Sequence, residues 1–204
     1  MKIRKFFGVR TDASLFVSKV IDKTVPKMLS SWPWDEMAFS IGRETADRIY
    51  IPLDDFSIAS RDGKATAAFV MQRMYLYYLK RNGVDIKGKI SGLLEQLIAN
   101  RLMVKNGFSD ELSYYFYHLL AKKKKYVRTP KEFIELSNAW LSFYGTDEFN
   151  MLLFRDMIRN QFKIETNAGK KGSEFITFLK GDLKDNIYNH MDDMVKKYYE
   201  VTRA

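Results

Sequence analysis

The chain has 204 residues and no cysteine, with 46% hydrophobic and 29% charged residues. That balance supports a packed core and excludes wholesale disorder; the missing thiols exclude disulfides, thiolate zinc centres and a cysteine nucleophile. Thirty-four Lys and Arg against 25 Asp and Glu leave a net charge of +9, an excess that favours contact with a polyanion.

The opening residues, MKIRKFFGVRTD, are basic but are not followed by an apolar stretch of roughly 7–15 residues, so no export signal is expected. The longest apolar run, residues 65–71, is far short of the ~20 residues of a membrane span. A soluble, cytoplasmic protein without a membrane span is expected. In chain order, Asp12 is placed to cap a helix over 13–32, with Leu15, Val17, Val20, Ile21 and Val25 at helical spacing. Pro26 should kink or end it. A weaker helix over 35–49 is interrupted by Gly42. Residues 50–53, YIPL, are the best strand candidate, and Pro52 confines that strand to an edge or an end.

From Lys64 a helix runs to Lys80, with Gly83 as its stop, and a second runs from Ser91 to about Lys105 and stops at Gly107. Ser109 is placed to cap DELSYYFYHLLAKKKK, which has acids in its first turn and lysines in its last. Thr129-Pro130-Lys131-Glu132 spells a capping box with proline at the first helical position; its helix reaches Tyr144 and closes at Gly145. Thr146 is placed to cap the next helix, over 147–163. Residues 165–172, ETNAGKKG, read as the most loop-like stretch of the chain. Ser173 then opens a final helical region, with Gly181 as a candidate break, that reaches about Val201. The expected fold is mainly α: a single compact domain over 1–204, of seven or eight helices, with at most a small edge strand or sheet near 48–53. Short connections predict antiparallel neighbours.

Few residues offer chemistry. His118 and His190 are the only histidines and do not make a zinc site, which needs three or four ligands. There is no serine-hydrolase turn, phosphate loop or dinucleotide fingerprint. Asp54-Asp55 follow the strand candidate, where magnesium ligands are often found and where ordinary turn residues are found too. Asp110-Glu111 and Asp192-Asp193 read as solvated helix faces. No cofactor and no metal are expected.

Residues 48–107 run as strand, helix, turn and helix, with RMYLYYLKRNG in the first helix and LLEQLIANRLM in the second. This organisation resembles the gluzincin class of zinc metallopeptidases. The resemblance implies that Arg73-Met74-Tyr75-Leu76-Tyr77 stand where that class carries His-Glu-x-x-His, with Glu95 and Gln96 near its third ligand. Both histidines and the catalytic glutamate are missing, and arginine cannot replace a zinc ligand. What the resemblance implies is therefore an inactive scaffold reused for protein interaction. Read from the residues alone, the same stretch is a buried core helix with Phe69, Val70, Met74 and Tyr77 or Tyr78 on its inner face.

The strongest positive feature is HLLAKKKKYVR, which sets Lys122, Lys123, Lys124, Lys125 and Arg128 around Tyr126. Such a cluster suits salt-sensitive phosphate contacts, with Tyr126 able to stack on an unpaired base. The same lysines would also serve as a solvated helix end that offsets its dipole. Further basic groups occur at Lys2, Arg4, Lys5 and Arg10, at Lys170-Lys171 and at Lys196-Lys197. YLYY at 75–78 and YYFY at 114–117 cannot turn every ring inward, so some tyrosines belong at a surface or at an interface with a protein partner or a second copy. The residues thus point to a non-catalytic basic binding protein that contacts RNA or DNA within a larger assembly. The alternatives are the inactive peptidase-like module and a self-assembling viral or mobile-element structural protein; a magnesium nuclease using Asp54 and Asp55 is the most distant.

Overall fold

From residue 91 onward apolar residues recur at three- and four-residue spacing, and helices form where they do. The computed structural model describes residues 6–8, 39–41, 49–51, 68, 70–74, 76–77, 91–185 and 191–203. The chain is mainly α-helical: α1 Ser91–Lys105, α2 Ser109–Lys122, α3 Pro130–Leu141, α4 Glu148–Gln161, α5 Thr166–Asp185 and α6 Met191–Arg203. Residues 68, 70–74, 76 and 77 are also helical, as expected for that stretch. The helix expected over 13–32 lies outside the described residues.

Strands are short. β1 Phe6–Gly8, β2 Phe39–Ile41 and β3 Ile49–Ile51 form a parallel sheet in that order. β3 sits at the sheet edge and ends just before Pro52, where the candidate strand was expected. The helix expected over 35–49 is corrected at 39–41 and at 49, which are strand. Phe-Ser-Ile and Ile-Tyr-Ile alternate with period two and are rich in β-favouring side chains, and pairing decides for the strand. A second parallel pair, β4 Tyr126–Val127 with β5 Lys163–Ile164, has no counterpart in the sequence pattern.

α3 is the central helix and packs against α1, α4, α5 and α6. One contiguous core runs from Ile49, Met71 and Met74 through Leu97, Phe116 and Phe143 to Phe175 and Tyr198. At its centre the Phe143 and Phe154 rings stack at 5.6 Å, and Phe116 meets both edge-on. Val70 and Met74 are fully buried, which fits the core-helix reading of that stretch. YYFY divides as its spacing requires: Tyr115 and Phe116 are buried, Tyr114 and Tyr117 exposed.

α5 corrects the loop expected over 165–172. It starts at Thr166 and runs through Gly169, Gly172 and Gly181 without interruption. The reason is tertiary: Gly172 is buried, and a Cβ there would stand 3.2 Å from the Cβ of Phe133 with the ring closer still. The glycine that reads as a loop signal is what lets α5 lie against α3.

Polar side chains close the helix ends. The capping box at α3 is complete, with the Glu132 N–H donating to Thr129 Oγ1 at 3.2 Å and the Thr129 N–H donating to Glu132 Oε2 at 3.1 Å. At the other end α3 stops at Leu141, earlier than the expected Tyr144, and Gly145 turns the chain with φ +73°. The buried Arg101 guanidinium donates to the carbonyls of Leu141 at 3.2 Å and Tyr144 at 2.7 Å, bracing the turn that follows the helix. Beside it a buried chain joins Gln72 Nε2 to Asn100 Oδ1 at 2.6 Å and Asn100 Nδ2 to Ser142 Oγ at 3.1 Å.

Two expected caps are corrected. α2 has no side-chain cap; the Ser109 hydroxyl instead donates to the carboxylate of Asp147. Asp147, not Thr146, caps α4, accepting from the Asn150 N–H at 3.0 Å and from Asn150 Nδ2 at 2.8 Å. One carboxylate thereby ties the starts of both helices. Burial alone would raise the Asp147 pKa, but the hydrogen bonds from Ser109 and Asn150 outweigh it and hold the carboxyl below its ordinary value.

Two outcomes are expected. Gly172→Ala should destabilise the fold by about 1–3 kcal/mol, the usual cost of overpacking a tight contact. Adding Phe133→Leu should recover part of that loss in urea unfolding, and additive losses would deny the contact. For Asp147 the folded-state pKa is depressed, so its contribution is complete above the unfolded pKa and is lost as pH falls through the folded one. Asp147→Ala should cost about 1 kcal/mol at neutral pH through the lost cap. Asp147→Asn should keep much of the cap yet flatten the acid limb of a stability–pH profile.

Candidate nucleic-acid interface

α2 ends at Lys122, and Lys123 is already extended, with φ −70° and ψ 148°. This corrects the expected run of helix to Lys125: only the first lysine of the four lies in the last helical turn. The backbone beyond Lys123 is held by strand pairing rather than by helix. The Lys163 N–H donates to the Lys125 carbonyl at 2.7 Å and the Glu165 N–H to the Val127 carbonyl at 3.0 Å. The connections between α2 and α3 and between α4 and α5 are thereby joined side by side.

Period-two alternation then sorts the side chains. Val127 points into the core, 3% exposed, and Tyr126 points out, 60% exposed. Parallel register sets Lys163 opposite Tyr126, with its Nζ 5.5 Å from the ring centroid. Lys125 is drawn the other way. Its Nζ donates to the Leu120 carbonyl at 3.1 Å and to Gln161 Oε1 at 3.3 Å, and it lies 4.5 Å from the centroid of the Phe162 ring. Lys125 is a strut between α2 and α4.

The structure places Lys122, Lys124 and Arg128 exposed along this connection, and Lys123 half-buried at a cleft of about 260 Å³. Tyr126, Val127 and Phe162 line the same cleft, as do Glu132 and Glu135. Both carboxylates are engaged. Glu132 accepts from the backbone N–H groups of Arg128, at 2.7 Å, and Thr129, and these hold its carboxyl below the ordinary range. Glu135 pairs with Lys131 at 3.8 Å. The open cations are therefore Lys122, Lys124 and Arg128, joined by Lys163, which the sequence pattern does not single out. The helix expected over 147–163 ends at Gln161, and its last expected residue, Lys163, stands in β5 instead.

The other basic pairs lie on α5, at Lys170-Lys171, and on α6, where Lys197 pairs with Glu200 at 3.2 Å. Lys2, Arg4, Lys5, Arg10, Asp54, Asp55 and His190 lie outside the described residues. His118 is half-buried on α2 with its ring edge-on to Tyr117. Glu95 is buried on α1, and Arg73 is half-buried on the helical stretch before it. Among the described residues no three His, Asp or Glu side chains gather as metal ligands, and no helix is long and apolar enough to cross a membrane. Comparison with protein-family models, with curated proteins and with solved structures finds no match to this chain.

The two kinds of lysine should separate on substitution. Lys125→Ala is expected to lower stability by about 1 kcal/mol, through loss of a hydrogen-bonded cation over an aromatic face. Lys122→Ala and Lys124→Ala should stay within roughly 0.5 kcal/mol of the parent, as open surface changes do. Thermal unfolding of the three variants checks the division; equal effects would contradict it.

Proposed function

We propose that the protein is a non-catalytic nucleic-acid-binding component whose phosphate-contacting edge consists of Lys122, Lys123, Lys124 and Arg128 together with Lys163. The observation that carries this reading is the β4–β5 pair. It fixes two separate connections side by side, so that four cations stay open around an exposed tyrosine. Cations held on paired backbone lose less freedom on meeting a phosphate than cations on a loose tail. Phosphate contacts of this kind release counterions and read no sequence. Tyr126 offers a flat face for an unpaired base, which favours a single strand over a duplex. Lys125 belongs to the frame of the site, not to its binding surface.

A second reading is that the chain acts through protein contacts, as an inactive peptidase-like scaffold. It draws support from a cleft of about 360 Å³ that Gln72, Leu93, Gln96 and Asn100 line together with residues of α2 and α3. The two readings part in one experiment. Binding of fluorescent single-stranded RNA and of duplex DNA is measured across a salt series. The first reading expects single-strand binding that weakens steeply with salt. Reversing the charge of Lys122, Lys124, Arg128 and Lys163 should then flatten the salt dependence by roughly 3 in log–log slope, at about 0.7 per phosphate contact. Far-ultraviolet circular dichroism should be unchanged. No binding at low salt, or affinity indifferent to the four reversals, would overturn the assignment and leave the protein-contact reading in place.

A further inference from the structure

α4 carries apolar side chains on both of its faces. Asn150, Phe154 and Ile158 point into the molecule. Phe149, Leu152 and Leu153 point out of it and are 76%, 42% and 45% exposed. At 100° per residue these three fall within an arc of about 100° on the side away from Phe154. Glu148, Arg155 and Arg159 run along one border of that arc, all exposed, and Asp156 lies within it. No ion pair joins these four charges among the described residues. Arg155 and Arg159, one turn apart, repel each other.

We propose that this face is where a second copy of the chain docks, with the two α4 helices antiparallel about a two-fold axis near Leu153. The face is self-complementary, which an isologous interface demands and a foreign partner does not. In an antiparallel pair each border of one helix meets the same border of the other, running in the opposite sense. The acid at the start of the border, Glu148, then meets Arg159 near its end in the second copy, and the contact occurs twice. The same arrangement brings Leu152 and Leu153 of the two copies together at the axis and covers Phe149 at either side. A parallel pair would instead turn this border toward the opposite, uncharged border of the second copy, and Glu148 would not meet Arg159. Antiparallel pairing also sets the two helix dipoles in opposition, which is favourable.

The face is one helix of 14 residues, about 21 Å long at 1.5 Å per residue. That is less than the ~800 Å² per partner of a standard stable interface would require, so the dimer is weak and concentration-dependent. The proposal does not rest on nucleic-acid binding. It would place the two α4 C-termini, each leading into Lys163, at opposite ends of the pair.

Sedimentation velocity on the full chain over a wide concentration range tests it. The native chain is expected to shift from monomer to dimer as concentration rises. Leu152→Glu with Leu153→Glu should remain monomeric with unchanged helicity. Glu148→Arg and Arg159→Glu should each weaken the dimer about tenfold, and the double reversal should restore it. A strict monomer at every concentration would overturn the proposal and leave the face to a different protein. A dimer indifferent to the leucine substitutions would overturn it too, by placing the interface elsewhere. Failure of the double reversal to restore a dimer that the single changes weaken would overturn the antiparallel pairing.

Discussion

α3 packs against four other helices, and the way each of its ends is closed shapes what lies around it. Its first turn is satisfied from within, by Thr129 and Glu132. Its last turn is closed by backbone N–H groups of Ser142, Phe143 and Tyr144, and the Arg101 guanidinium reaching over from α1 braces the turn that follows. Each solution has a consequence elsewhere. Arg101 must be buried to reach those carbonyls, which lowers its pKa by desolvation, and two carbonyl contacts compensate for its lost water. Glu132 must turn back on the preceding residues, so it holds the Arg128 and Thr129 amides and fixes the approach to the helix. The candidate site therefore lies next to a rigid helix start and not on a free loop.

Charge in this chain has two separate roles, and the net value of +9 does not distinguish them. Arg101, Lys125 and Lys180 are taken into the structure. Lys180 lies 4.8 Å from the centroid of Trp140 and 5.1 Å from that of Tyr144, and burial lowers its pKa. Each of the three bridges neighbouring elements. Lys122, Lys124, Arg128 and Lys163 are left open. The positive potential at the site comes from the second group, while the first sets where that group can stand.

Legibility followed the range of the interaction. α1 and the helix start at Thr129 were legible because their signals are local: apolar spacing, a glycine stop, and four residues that cap one another. Thr146 misled because a better-placed cap, Asp147, follows it, and Ser109 misled because its hydroxyl is drawn to Asp147 and leaves α2 without a side-chain cap. Asp147 reaches two helix starts at once only because α2 and α4 meet in space. Residues 165–172 misled for a similar reason, since nothing in their own composition announces that Phe133 will lie against Gly172. Strands of two or three residues paired in parallel leave almost no periodic trace. The basic cluster was legible as composition, but which lysine turns inward and which distant lysine joins it depend on the β4–β5 register.

α4 shows how far a local pattern can be inverted by its surroundings. At its first turn the inner residue, Asn150, is polar and the outer residue, Phe149, is apolar. The inner inversion is explained within one copy of the chain: Asn150 bonds Asp147 and Ser109 where two helix starts meet. The outer inversion has no such explanation among the described residues. A phenylalanine left 76% exposed forgoes most of the roughly 2 kcal/mol that burial would supply. Two leucines one turn further along repeat the pattern on the same arc. A helix whose inner face is fully accounted for, and whose outer face carries apolar residues beside charges of both signs, is patterned for contact on both sides. The proposed second copy would supply the outer contact, because the order of charges along the border is one that this chain's own α4 can complement.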